Sequence, residues 1–161
     1  MNKKELNPNV SVDCVIFGFD LEQLYVLLID SGSTESHIPT RMAVPGDLIY
    51  DTETLDEAAR RVLKELAGIE NIYLEQIGAF GDPDRIGKKA SDRKWLESIR
   101  ATPEARVITV AYYSLVRMPN FNPKASSFAK SAGWAPVKEV HDLAFDHYDI
   151  LQSGLEQLKS C

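Results

Sequence analysis

Histidine, cysteine and long apolar runs are scarce in this chain of 161 residues, which has three histidines and two cysteines. Cys14 lies in an apolar stretch near the start and Cys161 is the last residue, so a disulfide framework is excluded and a reduced, cytoplasmic setting is expected. No apolar run reaches the roughly 18 residues of a membrane-spanning helix, and no signal-peptide pattern opens the chain. Basic residues are in deficit, with 18 Lys and Arg against 24 Asp and Glu, a formal charge of −6. An overall field of that sign argues against nucleic-acid binding. Internal repeats, low-complexity segments and a linker are also missing. What is present is globular in composition, 44% hydrophobic and 26% charged. A single domain over 1–161 is expected, with residues 1–9 frayed.

The chain is organised around Gly46 to Ile69, GDLIYDTETLDEAARRVLKELAGI. Thr54 with Glu57 three residues later is a capping-box pattern, so a helix starts near Thr54. Leu55, Ala58, Ala59, Val62, Leu63 and Leu66 recur at helical spacing and predict one apolar face. Gly68 stands where a C-terminal glycine ends a helix.

Before this stretch, Ser11 to Phe19 and Leu24 to Ile29 read as a strand hairpin, and Met42 to Val44 and Leu48-Ile49 as short extended pieces. The loop between them carries His37, to which no role is assigned. After the helix, Ile72 to Phe80 reads as a strand ending in the loop Gly81-Asp82-Pro83-Asp84-Arg85. Lys88 to Arg100 is the most basic part of the chain and reads as a solvated excursion anchored by Trp95, with Ser91 capping a short helix. Arg106 to Val116 is an apolar strand expected to be buried on both faces. Gly133 to Val137 is a last short strand, and a helix begins near Asp146 with Ile150, Leu151, Leu155 and Leu158 on its apolar stripe. Gly154 weakens that helix. Strands and helices mix without strict alternation, which favours an α/β chain of the α+β type, a mixed β-sheet sandwiched between helices.

The central stretch resembles the Nudix box, whose pattern runs Gly, five residues, Glu, seven residues, Arg-Glu, an aliphatic, any residue, Glu-Glu, any residue, Gly and an aliphatic. In register, Glu53, Arg61, Leu63, Glu65, Gly68 and Ile69 match. Asp47 replaces the first Gly, and Val62 and Leu66 replace two helix carboxylates. In the family those carboxylates share a helix face and hold magnesium, a hard cation that takes oxygen ligands. The resemblance therefore implies the Nudix fold and argues against efficient hydrolysis. No catalytic residue and no metal site are assigned, Glu65 being a weak metal candidate. No cofactor is required, and magnesium only if the protein is hydrolytic.

Several strings, VDCVIFGF, EQIGAFGDPDR, ARVITVAYYSLV and LAFDHYDIL, resemble in their order the sensor domains of Nudix-related transcriptional regulators of NAD or arabinose metabolism. That resemblance implies a small-molecule effector, ADP-ribose or a sugar, and a homodimer. The chain departs from it by about twenty residues inserted between Arg85 and Arg106, and no winged helix-turn-helix is visible, so DNA binding by these residues is not expected. Arg85 and Arg106 are the candidate ligand residues, since guanidinium forks suit diphosphate oxygens. Ion pairs with Asp82, Asp84 or Glu104 are the alternative. Glu53 and Glu65 complete the candidate set, Glu53 alternatively accepting loop backbone N–H groups and Glu65 pairing with Arg61 at i,i+4. His147 is read as a helix-start or interface residue. The competing readings are a diphosphatase recruiting Asp47, Asp51 or Glu104, and an interaction module whose cleft is filled by the insertion.

Overall fold

The structure is a computed structural model and describes residues 5–30, 41–124 and 131–160. His37 and Cys161 lie outside the described residues. The first strand, β1 (Leu6–Phe19), is 14 residues long, and its length lets it serve several neighbours. Its first half pairs antiparallel with β4 (Gly46–Tyr50), and its last residues pair antiparallel with β2 (Leu24–Asp30). Along its other edge it runs parallel to β6 (Ile108–Arg117) from Val10 to Phe19. β5 (Glu75–Phe80) lies antiparallel on the far side of β6. β3 (Met42–Ala43) and β7 (Ser131–Pro136) both pair with β2. Among the described residues these strands form a mixed, seven-stranded sheet.

Alternation along β1 creates two cores, because successive side chains point to opposite faces. Val12, Cys14 and Ile16 pack with Ala58, Ala59, Val62, Leu63 and Leu66 of α1 (Leu55–Ala67). Val15 and Phe17 pack on the other face with Ile150 and Leu151 of α3 (His147–Lys159). Thus α1 and α3 sandwich the sheet.

α1 has the ends that its sequence predicts. Thr54 accepts the Glu57 N–H, Glu57 reaches back to the Thr54 N–H, and Gly68 closes the helix at φ 68°, in the left-handed region. In α3, Gly154 has a packing reason: a Cβ there would lie 3.1 Å from Ile77 Cδ1, closer than ordinary contact.

Several boundaries differ from expectation. Residues 6–9 are not frayed but belong to β1, with Leu6 opposite Tyr50, a partner remote in sequence. β5 begins at Glu75 rather than Ile72; the Ile72 carbonyl accepts from Arg60 instead. β6 is flanked on both edges, yet Ile108 and Leu115 are 41% and 46% exposed, so it is buried on both faces only in its middle.

The basic stretch keeps Lys88, Arg93 and Lys94 exposed and is anchored by Trp95 as expected, but it packs on the fold more closely than a solvated excursion would. It forms α2 (Ala90–Ile99), with Lys89 rather than Ser91 at the N-cap and no side-chain capping bond. Trp95 and Leu96 are buried, and Asp92 is fully buried, accepting from Arg41 Nε and the Phe145 N–H. Lys89 donates to the Leu143 carbonyl. A buried carboxylate with two donors ties α2 to the segment that precedes α3.

Candidate functional site

β1 carries one acid, Asp13, between the apolar residues Val12 and Cys14. Asp13 is 4% exposed and reaches the end of the sheet where β4, β6 and the start of α3 meet. Its Oδ2 accepts from Thr109 Oγ1 at 2.6 Å and lies 3.6 Å from Arg85 Nη2. Its Oδ1 lies 3.2 Å from His147 Nε2. The Val44 N–H donates to His147 Nδ1, so Nε2 carries the proton that faces Asp13. Burial opposes ionisation of Asp13, but His147, Arg85 and Thr109 outweigh it and hold its pKa down at about 2. β4 can approach this acid only through Gly46, because a Cβ at Gly46 would overlap Asp13 Oδ1.

Arg85 follows the loop after β5 and is 5% exposed. Nε and Nη2 grip Asp146 at 3.0 and 2.9 Å, and Nη1 donates to the Val107 carbonyl. Its partner is therefore Asp146, not Asp82, Asp84 or Glu104. Phe145, just before, holds φ 55°, a conformation rare for an aromatic residue, with its ring against Trp95 and His147. Arg85, His147, Trp95 and Phe145 line a small inner cavity. Asp47, Ile86, Leu96, Arg100 and Val107 line both this cavity and an outer cleft of about 410 Å³ beside Leu6, Leu48 and Pro103. The insertion thus fills part of the cleft and walls the rest.

The other predicted residues separate from this cleft. Arg106 is exposed and donates to the Gly81 carbonyl. Glu53 and Glu65 converge on Arg61: Glu53 takes its Nε and Nη2 at 2.6 and 3.0 Å, and Glu65 its Nη1 at 3.2 Å. Glu53 also accepts the Tyr50 N–H, and Arg61 Nη2 reaches the Leu48 carbonyl. Both alternatives raised for these acids, loop bonding for Glu53 and the i,i+4 pair for Glu65, are therefore present. Arg61 lies over the Tyr50 ring as well, and burial, which opposes its charge, is outweighed by the two glutamates that raise its pKa. The arrangement clamps the loop between β4 and α1.

This donor set does not fit a magnesium platform. Val62 and Leu66, at the family's carboxylate positions, are 1% and 2% exposed in the core under α1. Among the described residues no group of three or more His, Cys, Asp or Glu is placed to hold a metal ion.

Sequence reasoning missed Asp13, Thr109, Asp92 and Asp146. Asp13 did carry a signal, a lone acid inside VDCVIFGF, since charges are buried only with partners. The pairing of Asp47 with Arg100, 3.4 Å between Oδ1 and Nη1, had none in the sequence.

Among the described residues no helix is long and apolar enough to cross a membrane. A family profile described as "NUDIX domain" matches residues 7–153. The chain is 30% identical to the ADPR responsive transcriptional repressor NtrR of Acinetobacter baylyi, over 96% of this chain and 56% of that protein. It is 26% identical to an ADP-ribose pyrophosphatase of Methanocaldococcus jannaschii, over 68% of this chain and 54% of that protein. The chain thus spans about half the length of each curated relative. Among solved structures, the NUDIX domain of Shewanella oneidensis NrtR complexed with ADP ribose superposes at a TM-score of 0.74, with 24% identity over 93% of this chain and 88% of that one. That similarity bears on the fold. The box register along α1, the two-faced sandwich and the match over nearly the whole chain agree: this chain belongs to the NUDIX family.

Proposed function

We propose that this chain is the ligand-sensing domain of a bacterial transcriptional regulator, binding ADP-ribose or a related nucleotide or sugar effector without cutting it. The observation that carries this reading is the fate of the box acids. Two are replaced by buried apolar residues, and the remaining two are held by Arg61. What stays in register is the scaffold, while the platform that polarises a phosphorus is gone. A relative named as ADPR-responsive supports the choice of effector.

In this reading the cleft between β4, α2 and the start of β6 takes the effector. Arg85 forms its floor, while Arg106, the other candidate contact, stands apart from it and donates to the Gly81 carbonyl. Glu53 and Glu65 act indirectly by holding the loop through Arg61. The domain works as a homodimer that passes occupancy to a partner module.

A second reading, a diphosphatase, rests on the similarity to a pyrophosphatase. It needs replacement carboxylates, but Asp47 is paired with Arg100 and Asp51 accepts from Asn7. Calorimetric titration with ADP-ribose, with and without magnesium, followed by assay of the same samples for AMP, separates the two. Magnesium-independent binding with intact ligand is expected. Magnesium-dependent AMP release would overturn the sensor reading.

A further inference from the structure

Two departures from the Nudix pattern, remote in sequence, meet in space. Asp47 stands where the box has glycine, and Arg100 belongs to the insertion, capping the C-terminus of α2 through its N–H to the Leu96 carbonyl. The Arg100 side chain turns into the cleft and is 17% exposed. Its Nη1 lies 3.4 Å from Asp47 Oδ1, but the pair makes no hydrogen bond, and Nε and Nη1 have no hydrogen-bond partner among the described residues. Asp47 Oδ1 is already accepting the Leu48 N–H. Burial pushes the Asp47 pKa up and the Arg100 pKa down, so each is poorly compensated by the other. Arg85 nearby is differently placed, its fork filled by Asp146.

A guanidinium with buried, unbonded donors is rare in a native fold and calls for an acceptor. The surrounding walls, Leu6, Leu48, Leu96, Pro103 and Val107, offer apolar surface, which strengthens a charge-assisted bond made between them. We infer that Arg100 is the anion-recognition residue of the cleft, taking a phosphate or diphosphate oxyanion, and that Asp47 is the partner this anion displaces. The inference rests on the reading of this cleft as the effector site, and it adds the residue that selects phosphorylated ligands over free sugars.

The test is calorimetric titration of the full chain with ADP-ribose and with inorganic pyrophosphate, for the wild type, Arg100→Met, Arg100→Lys and Asp47→Asn, each with its melting temperature. The wild type is expected to bind both ligands. Arg100→Met should weaken both by about 30-fold, and Arg100→Lys by about tenfold, since it keeps the charge and loses the fork. Asp47→Asn should tighten pyrophosphate several-fold by removing the competing carboxylate. A merely structural ion pair moves Arg100→Met and Asp47→Asn in the same direction, and that result overturns the inference. If Arg100→Met does not fold, Arg100→Lys decides: wild-type affinity there is equally fatal. Binding of ADP-ribose that is unchanged in the folded arginine variants removes this inference and leaves the effector reading standing. Binding of pyrophosphate but not ADP-ribose, lost in Arg100→Met, does the reverse. A wild type that binds neither ligand overturns this inference and leaves the effector reading with a sugar alone.

Discussion

Asp13 is a carboxylate set among apolar neighbours on a long strand, and its polar partners outweigh its burial to keep it charged. Thr109, His147 and Arg85 come from β6, α3 and the loop after β5, so this one acid ties three parts of the chain to β1. Its folded pKa of about 2 lies below the ordinary 3.8, so the stability it contributes is present above that ordinary value and lost as the pH falls towards 2. The window is worth about 2 kcal/mol. Urea unfolding followed from about pH 6 to about pH 2 should show that loss, and Asp13→Asn should flatten it. At neutral pH the same variant should be less stable by about 3 kcal/mol, since the amide keeps one acceptor oxygen where the carboxylate has two and no longer offsets the buried Arg85 charge. Wild-type stability in Asp13→Asn would mean that the network is not a support of the fold.

At the scale of elements, α1 and α2 behave differently. α1 is specified locally, by a capping box, an apolar stripe and a terminal glycine, all within its own span. Thr54→Ala should therefore cost about 1 kcal/mol, read as a lower denaturation midpoint with an unchanged slope. Leu66→Glu restores a family carboxylate, yet it places an unpaired charge in the core against β1. A loss of about 3–5 kcal/mol and no metal-dependent AMP release are expected. Appearance of that activity would show that α1 can turn this face to solvent. α2 is specified from outside, by Asp92 gripping Arg41 and the Phe145 N–H and by Trp95 against Phe145. Trp95→Ala should lower stability by about 3 kcal/mol and loosen the cleft wall, checked by weaker ADP-ribose binding than in the wild type.

For the whole molecule, the sandwich places the cleft at the end of the sheet where β1, β4 and β6 converge, with the insertion laid across it. Removing magnesium with a chelator should leave ADP-ribose affinity within about twofold, because the positions that would bind the metal are apolar or held by Arg61. A larger loss would point to a metal bridging the ligand. Sedimentation should report a dimer of this chain; a monomer at every concentration would remove the homodimer from the proposed function.

The fold class, the box register and both ends of α1 were legible in the sequence, because capping and helical periodicity act between residues three or four apart. The apolar fate of Val62 and Leu66 was legible for the same reason. The start of β1 was not, since Leu6 is ordered by Tyr50 across the sheet. Nor was the packing of the basic stretch, whose Lys89 and Arg100 looked solvated until the Leu143 carbonyl and Asp47 were brought to meet them. Arg85 was singled out by its type and its loop, but its partner Asp146 lies 61 residues away, and Val44 meets His147 across 103. Local spacing determined α1 and the family its box resembles. Only tertiary structure decided which charges share the cleft, because charge pairing depends on distances set by the folded sheet and not by the chain.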